Sequence, residues 1–431
     1  MAQSISRRGA VQLMGALGAA AMMGSLAGCG NAAEPGKPAD QAADLVKNGD
    51  FPSVVDGAAD PSFSARVASQ LLAEAQDNSC FSPASLYVAL TLLTVGVSGT
   101  TQQQLVDQLG EKDAEALSKA CQAVISDLTF GPTCGTGTDE DPRLMFANSL
   151  WVDMGFEPKP DYAKKLEDDF DAQISSVDFA DPKTNETVSN WVSEKTMGLL
   201  KPQFQFDAAM ALALVNTLYF RDSWPNPFEK SLTEQADFAA APGAVKADFM
   251  HTVLHSDFAE FAECQVGELR FASSGAALRF MLPWEGGSTA SLMEDPALLE
   301  ALLVAQLEEC QVTWSLPKFT IENTYDLVPT LQQMGLTAMF ESSKDFESMV
   351  TAKEGTTPEM AVSMVQQGTK IAVDEDGALA AAYTAIGLKA TALPPQDQKE
   401  VEFTLDRPFV YALIGRDGTP LFVGLVQDPT A

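Results

Sequence analysis

Apolar positions along the chain recur with two periods, one helical and one extended. Phe63, Val67 and Leu71 return every four residues after an Asp60-Pro61 start, which predicts a helix with one face on the core. Residues 78–105, NSCFSPASLYVALTLLTVGVSGTTQQQL, open with a Ser-Pro helix start and continue almost entirely apolar, so that helix is expected to be buried on all sides. Residues 144–152 and 211–220 are apolar, β-rich runs that read as strands, yet each holds an asparagine, Asn148 and Asn216. An asparagine inside such a strand must find hydrogen-bond partners or cost about 1–3 kcal/mol. The closing PFVYALIGRDGTPLFVGLV reads as a hairpin turning at Arg416-Asp417-Gly418. No internal repeat is present, and the mixture of elements predicts an α+β fold.

The most unusual pattern is in residues 370–395, KIAVDEDGALAAAYTAIGLKATALPP. Lys370 to Val373 suits a strand, and Asp374, Glu375, Asp376 and Gly377 form an acidic turn. If the following residues are extended, Ala378, Ala380, Ala382 and Thr384 share one face, and Leu379, Ala381 and Tyr383 the other. The first face carries only small side chains, which enter a packed sheet at little steric cost, whereas Leu or Phe there would overpack the core. On these residues alone a helix is the competing reading, because alanine is the best helix former.

Composition narrows the function. At 431 residues, 46% apolar and 20% charged, the chain has ample material for a large core. A formal net charge of −32 disfavours nucleic acid and anionic membrane surfaces as partners. Catalytic patterns are weak. The two histidines, His251 and His255, fall in HTVLH, which reads as a strand and lacks the glutamate that follows the first histidine of a zincin. No Gly-x-Ser-x-Gly elbow and no Walker or Rossmann glycine loop is present. No metal, no cofactor and no enzymatic activity are therefore expected.

The first 28 residues read as a targeting segment. SRRGAV, with Arg7 and Arg8, resembles a twin-arginine export signal, and Leu26-Ala27-Gly28-Cys29 resembles a bacterial lipoprotein box in which Cys29 is lipidated. A single membrane-spanning helix is the alternative for this stretch. Residues 29–60, rich in Ala, Pro, Asp and Gly, read as a flexible tether ahead of a body at 61–431. The expectation is an exported signal-peptide protein, membrane-anchored on the extracellular side of a bacterial cell through a lipid at Cys29. Beyond Cys29 the cysteines are Cys80, Cys121, Cys134, Cys264 and Cys310. Export permits disulfides. Cys121 with Cys134 is the pair to test first, against the alternative of buried free thiols.

The segments above, in their order, resemble the serpin family. The likeness rests on Phe81-Ser82-Pro83 with Ser85, on NWVSEKTMGLL from Asn190, and on VNTLYFRDSW (215–224). It continues through LPKFTIENTYDL (316–327), MGLTAMF (334–340), Glu375, Gly377, Ala380 to Ala382, Thr384, Leu393-Pro394-Pro395 and Pro408-Phe409-Val410. It covers residues 61–429 and implies a serpin-like fold: a large mixed central sheet, further sheets, about eight to nine helices and an exposed reactive loop. It also implies a suicide inhibitor: a target serine protease attacks the loop as a substrate and becomes acylated, after which the cut loop joins the sheet as a new strand.

Two family spacings, from Glu375 and from Leu393-Pro394-Pro395, place the reactive bond between Thr391 and Ala392. The hinge would be Glu375, Gly377, Ala378, Ala380, Ala382 and Thr384. Ser82, Ser85, Asn216 and Gln367 would lie where the sheet opens, Gln367 standing where the family usually has histidine. Lys318 and Trp224 would sit beside Glu375 as a latch. Thr391 between two alanines suits elastase-like or subtilisin-like targets, with cleavage at Lys389 as a minor register. Leu379 and Tyr383 depart from the family pattern on the solvent face. A covalent complex with the target protease is expected of a monomeric chain; the alternative is a non-inhibitory binding or surface protein whose loop is only cleaved.

Overall fold

The computed structural model describes residues 61–129, 143–241, 243–378 and 399–431. Helix α1 (Pro61–Leu72) is followed by strand β1 (Ser79–Phe81) and helices α2 (Pro83–Thr94), α3 (Gly99–Gln108) and α4 (Ala114–Leu128). Next come β2 (Arg143–Asp153), β3 (Phe156–Pro158), α5 (Pro160–Phe170), β4 (Gln173–Val177), α6 (Lys183–Lys195) and β5 (Leu212–Ser223). Strands β6 (Glu234–Phe238), β7 (Val245–Glu260), β8 (Cys264–Arg270) and β9 (Ala277–Pro283) precede α7 (Thr289–Met293) and α8 (Pro296–Val304). Then follow β10 (Glu308–Pro317), β11 (Phe319–Asp326), α9 (Val328–Gln333), β12 (Val350–Ala352), β13 (Val362–Val373) and β14 (Gly377–Ala378). The chain closes with β15 (Glu400–Thr404), β16 (Phe409–Ile414) and β17 (Pro420–Val426).

These strands form a small two-stranded sheet of β3 and β12 and two large mixed sheets. One has the order β11-β13-β14-β5-β2-β4; the other runs β1-β17-β16-β9-β8-β7-β10-β15, with β6 on β7. Strand β5 is buried along nearly its whole length because both faces of its sheet are covered. Leu212, Leu214, Leu218 and Phe220 pack into the main core, while Ala213 and Val215 meet Trp151, Val188 and Val192 beneath α6 on the other side.

Helix α2 lies under this sheet, and all twelve of its residues are buried, as its unbroken apolar run predicts. Its start is fixed by Ser82, whose side chain accepts from the Ser85 N–H, and by Pro83 in the first turn, where a missing N–H costs nothing. Phe63 and Val67 of α1 are fully buried, with Leu71 packed at the edge of the same core. The final hairpin pairs β16 with β17, and Gly418 takes the left-handed conformation its turn requires (φ 90°).

Cys80, Cys121, Cys264 and Cys310 are buried free thiols, and burial pushes Cys80, Cys121 and Cys264 up to about 12. Cys121 thus has no disulfide partner among the described residues, and Cys134 lies outside them. Of the described residues, no helix is long and apolar enough to cross a membrane. Residues 1–60, with Cys29, also lie outside.

Candidate functional site: a sheet left open beside an acidic hinge

The site begins where β13 ends. Asp374 caps a tight turn, its carboxylate accepting from the N–H of Asp376 at 2.9 Å and of Gly377 at 3.2 Å. Gly377 has φ 153°, and a Cβ there would stand 2.3 Å from the carbonyl oxygen of Asp222, so the chain can re-enter the sheet only through glycine. It re-enters as β14. Gly377 and Ala378 pair antiparallel with Ser223 and Asp222 of β5, and Ala378 also pairs with Val373 of β13. Ala378 is fully buried, which a larger or charged side chain would not allow.

Four side chains from three separate segments hold this turn. Lys318 Nζ lies 2.9 Å from Glu375 Oε2, and the Thr233 hydroxyl donates to Glu375 Oε1 at 2.8 Å. Lys230 pairs with Asp376 at 2.9 Å. The Trp224 indole N–H donates to the Asp374 carbonyl at 3.0 Å, its backbone N–H to that of Asp376, and its ring stacks on Phe271 at 4.6 Å. Burial by itself would raise the Glu375 carboxyl; the Lys318 ammonium and the hydrogen bonds to the carboxylate outweigh it and hold the group below its ordinary value of 4.5. Asp374 moves the other way, raised by burial that its two N–H donors only partly offset.

Below the hinge the sheet is not closed by any strand of the described residues. Strands β13 and β5 pair directly, in parallel, from Val362 with Leu212 to Gly368 with Thr217. Past that point no ladder joins residues 369–372 to residues 218–221 among the described residues, and pairing resumes only at β14. The other edges of both strands are occupied, β13 by β11 and β5 by β2.

A buried polar cluster sits where direct pairing stops. The Gln367 side chain accepts from the Ser82 N–H at 2.8 Å and donates to the Ser82 carbonyl at 2.9 Å and to Asn216 Oδ1 at 2.7 Å. The Ser85 hydroxyl donates to the same Asn216 oxygen at 3.1 Å, and the Ser82 hydroxyl to the Leu421 carbonyl at 2.7 Å. One glutamine thereby ties α2 to both strands that border the gap. Asn216 Nδ2 and Asn148 Oδ1, on directly opposed residues of β5 and β2, are buried without partners among the described residues: a matching donor and acceptor left unused.

The structure therefore brings together Glu375, Gly377, Ala378, Lys318 and Trp224 at one end of the gap, and Ser82, Ser85, Asn216 and Gln367 at the other. Ala380, Ala382, Thr384, Thr391 and Ala392 lie outside the described residues, as do Leu379, Tyr383 and Lys389. Sequence reasoning missed Thr233 and Lys230, which lie about 140 residues before their carboxylates and carry no local signal.

A family model described as serpin (serine protease inhibitor) matches residues 58–429. The chain belongs to the serpin family. It is 31% identical over 375 residues to Serpin-Z2A of Triticum aestivum, covering 82% of this chain and 90% of that one. Tengpin, a thermophilic serpin solved in its native state, superimposes with a TM-score of 0.75 at 26% identity, over 85% of this chain and 92% of that one. The Arabidopsis serpin AtSerpin1, in its native stressed conformation, gives 0.74 at 25% identity, over 88% and 100%. This serpin is accordingly a protease inhibitor by family, with a protease as its partner, and not an enzyme.

Two measurements check the geometry. Gln367→Ala strands the Ser82 peptide groups and is expected to lower stability by about 1–3 kcal/mol, read as an earlier urea midpoint; an unchanged midpoint would show that the cluster holds nothing. The Glu375 carboxyl is depressed in the fold, so its contribution is present above about 4.5 and is lost as pH falls through the lower folded value. Asp374 acts in the opposite sense, its burial cost being relieved by protonation. The difference in stability between wild type and Glu375→Gln isolates the first effect, and it should shrink on acidification below pH 4.5.

Proposed function

We propose that this serpin traps its target protease as a suicide substrate, through cleavage of the Thr391–Ala392 bond and insertion of the severed loop between β5 and β13. The observation that carries this reading is the register of β14. Its pairings with β5 and β13 place residues of the two strands opposite each other at the same offset, 151, that their direct parallel pairing has lower down. A strand continuing from Ala378 thus meets both neighbours without any slip.

In that register Ala380 would fall between Phe220 and Ile371, Ala382 between Leu218 and Thr369, and Thr384 between Asn216 and Gln367. The first two sites are apolar or small and receive alanine. The third is the polar cluster, where a threonine hydroxyl would replace the Gln367 to Asn216 hydrogen bond and offer a partner to the spare Asn216 Nδ2. Insertion moves the flanking strands apart by about 4.8 Å, the width of one strand, so that bond must break. The Lys318–Glu375 pair acts as a latch that keeps the upper gap from filling before cleavage.

Thr391, flanked by alanines, suits the shallow pocket of an elastase-like or subtilisin-like protease. The seventeen residues from Glu375 to Thr391 span about 55 Å when extended. Full insertion would therefore carry a protease acylated at Thr391 to the far end of the sheet. The export and lipoprotein signals complete the reading: a monomer held by a lipid at Cys29 on the outer side of a bacterial cell, meeting proteases from outside.

The test is a denaturing gel after mixing with an elastase. A band at the summed mass, resistant to boiling in detergent, is expected; clipped inhibitor alone would overturn the trap. Thr384→Arg and Ala378→Arg should both abolish that band and leave cleavage intact, because each forces a charge beneath the sheet.

A further inference from the structure

We propose that the cavity between β2, β4, α5 and α6 is a binding site for a small free amino acid, held as a zwitterion. The inference goes beyond the trap reading and does not depend on it.

Strand β4 first pairs with β2 at Ser149, so no described strand pairs with that edge of β2 at Ala147 and Asn148. Around this open edge lies a cavity of about 280 Å³, lined by Ala147 and Asn148 from β2, Ala163 and Glu167 from α5, and Trp191 and Lys195 from α6. Two buried polar atoms of that lining have no partner among the described residues, Asn148 Oδ1 and Trp191 Nε1. Asn148 is only 3% exposed, so bulk water does not satisfy its oxygen. Trp191 packs edge-on against Trp151, with ring centroids 6.1 Å apart. The Trp151 indole N–H donates to the Ser149 hydroxyl, whereas that of Trp191 is left unused. Buried polar groups are rarely left unmet. An acceptor and a donor lining one cavity call for a ligand that carries the opposite of each.

Charge sorts the two ends of that ligand. Trp191 and Lys195 are four residues apart and therefore share one face of α6. Lys195 makes no ion pair among the described residues. An indole N–H beside an ammonium is a donor pair suited to a carboxylate. Asn148 Oδ1 can only accept, and so takes the amine. Glu167 and Asp171 add negative charge to the lining, while the neighbouring Lys164 and Lys165 are already paired with Asp168 and Asp169. At roughly 30 Å³ for each water, the cavity has room for about nine waters. That is the size of a ligand of about ten non-hydrogen atoms, such as glutamine, and too small for a peptide of several residues.

The test titrates the full chain with L-glutamine by calorimetry and follows the Trp191 indole N–H by NMR, its signal assigned as the one lost in Trp191→Phe. Binding with a Kd of about 1 mM or tighter is expected, with the Trp191 indole signal shifting most among the tryptophans. Removing either charged end should weaken binding about tenfold or more, the carboxylate in L-glutaminamide and the amine in glutaramic acid. Lys195→Met and Trp191→Phe should each weaken glutamine binding about tenfold, with the melting temperature of the unliganded protein unchanged. Asn148→Ala alters the core as well, so its readout is the lost preference for glutamine over glutaramic acid. No heat and no indole shift at about 20 mM L-glutamine, equal binding of glutamine and both analogues, or wild-type binding in both α6 variants would each overturn the site. None of these outcomes bears on the trap, which is read from the boiled gel band.

Discussion

The structure depends on a stretch between β5 and β13 where, among the described residues, no backbone hydrogen-bond ladder is formed. Strands β5 and β13 are each paired on their outer edges, joined to each other at one end, and bridged at the other by only two residues of β14. Between those points their facing edges have no ladder partner among the described residues. Unpaired N–H and C=O groups inside a sheet are costly, and a sheet so arranged is a template for one more strand. The chain that can supply it is attached at Ala378, in register on both sides.

In the reading proposed above, two groups of contacts around the gap divide the work of keeping a further strand out before cleavage. At the hinge, Glu375 and Asp376 are held by Lys318, Thr233 and Lys230, and Trp224 clamps the turn through two carbonyls. These are polar contacts at a partly exposed end, individually worth little, which suits a latch that must yield. Deeper in, Gln367 binds Ser82 and Asn216 in a fully buried cluster where each lost hydrogen bond is expensive. Glutamine in this position keeps the donors and acceptors but carries no charge change near neutral pH, so the deep cluster is insensitive to pH and the sensitivity is left to the carboxylates of the hinge.

Much of this was legible in the sequence where the signal is local. The all-apolar run after Ser82-Pro83 could only be a buried helix, the asparagines in two apolar strands had to find partners, and Gly377 after three acids marked a turn. The small-residue face at Ala378 is recognisable because period-2 geometry sorts side chains by size. Pairings that depend on tertiary register were not legible. Lys230 and Thr233 are surface residues of a polar stretch until the fold sets them against Asp376 and Glu375. Asn148 looked like a group that had to be satisfied, yet its Oδ1 and the facing donor Asn216 Nδ2 are both without a partner among the described residues. Spacing left a Cys121 to Cys134 pairing and buried free thiols both open, and Cys121 faces the core from α4 as a free thiol.

The central claim is that severing the loop completes the sheet, and the most direct measurement is thermal unfolding before and after cleavage between Thr391 and Ala392, with the cut site verified by mass. The account predicts that the cleaved protein melts at least about 10 °C above the intact one, with amide protection appearing along residues 218–221 and 369–372. A cleaved protein that melts with the intact form, and leaves those amides exchanging as before, would contradict it.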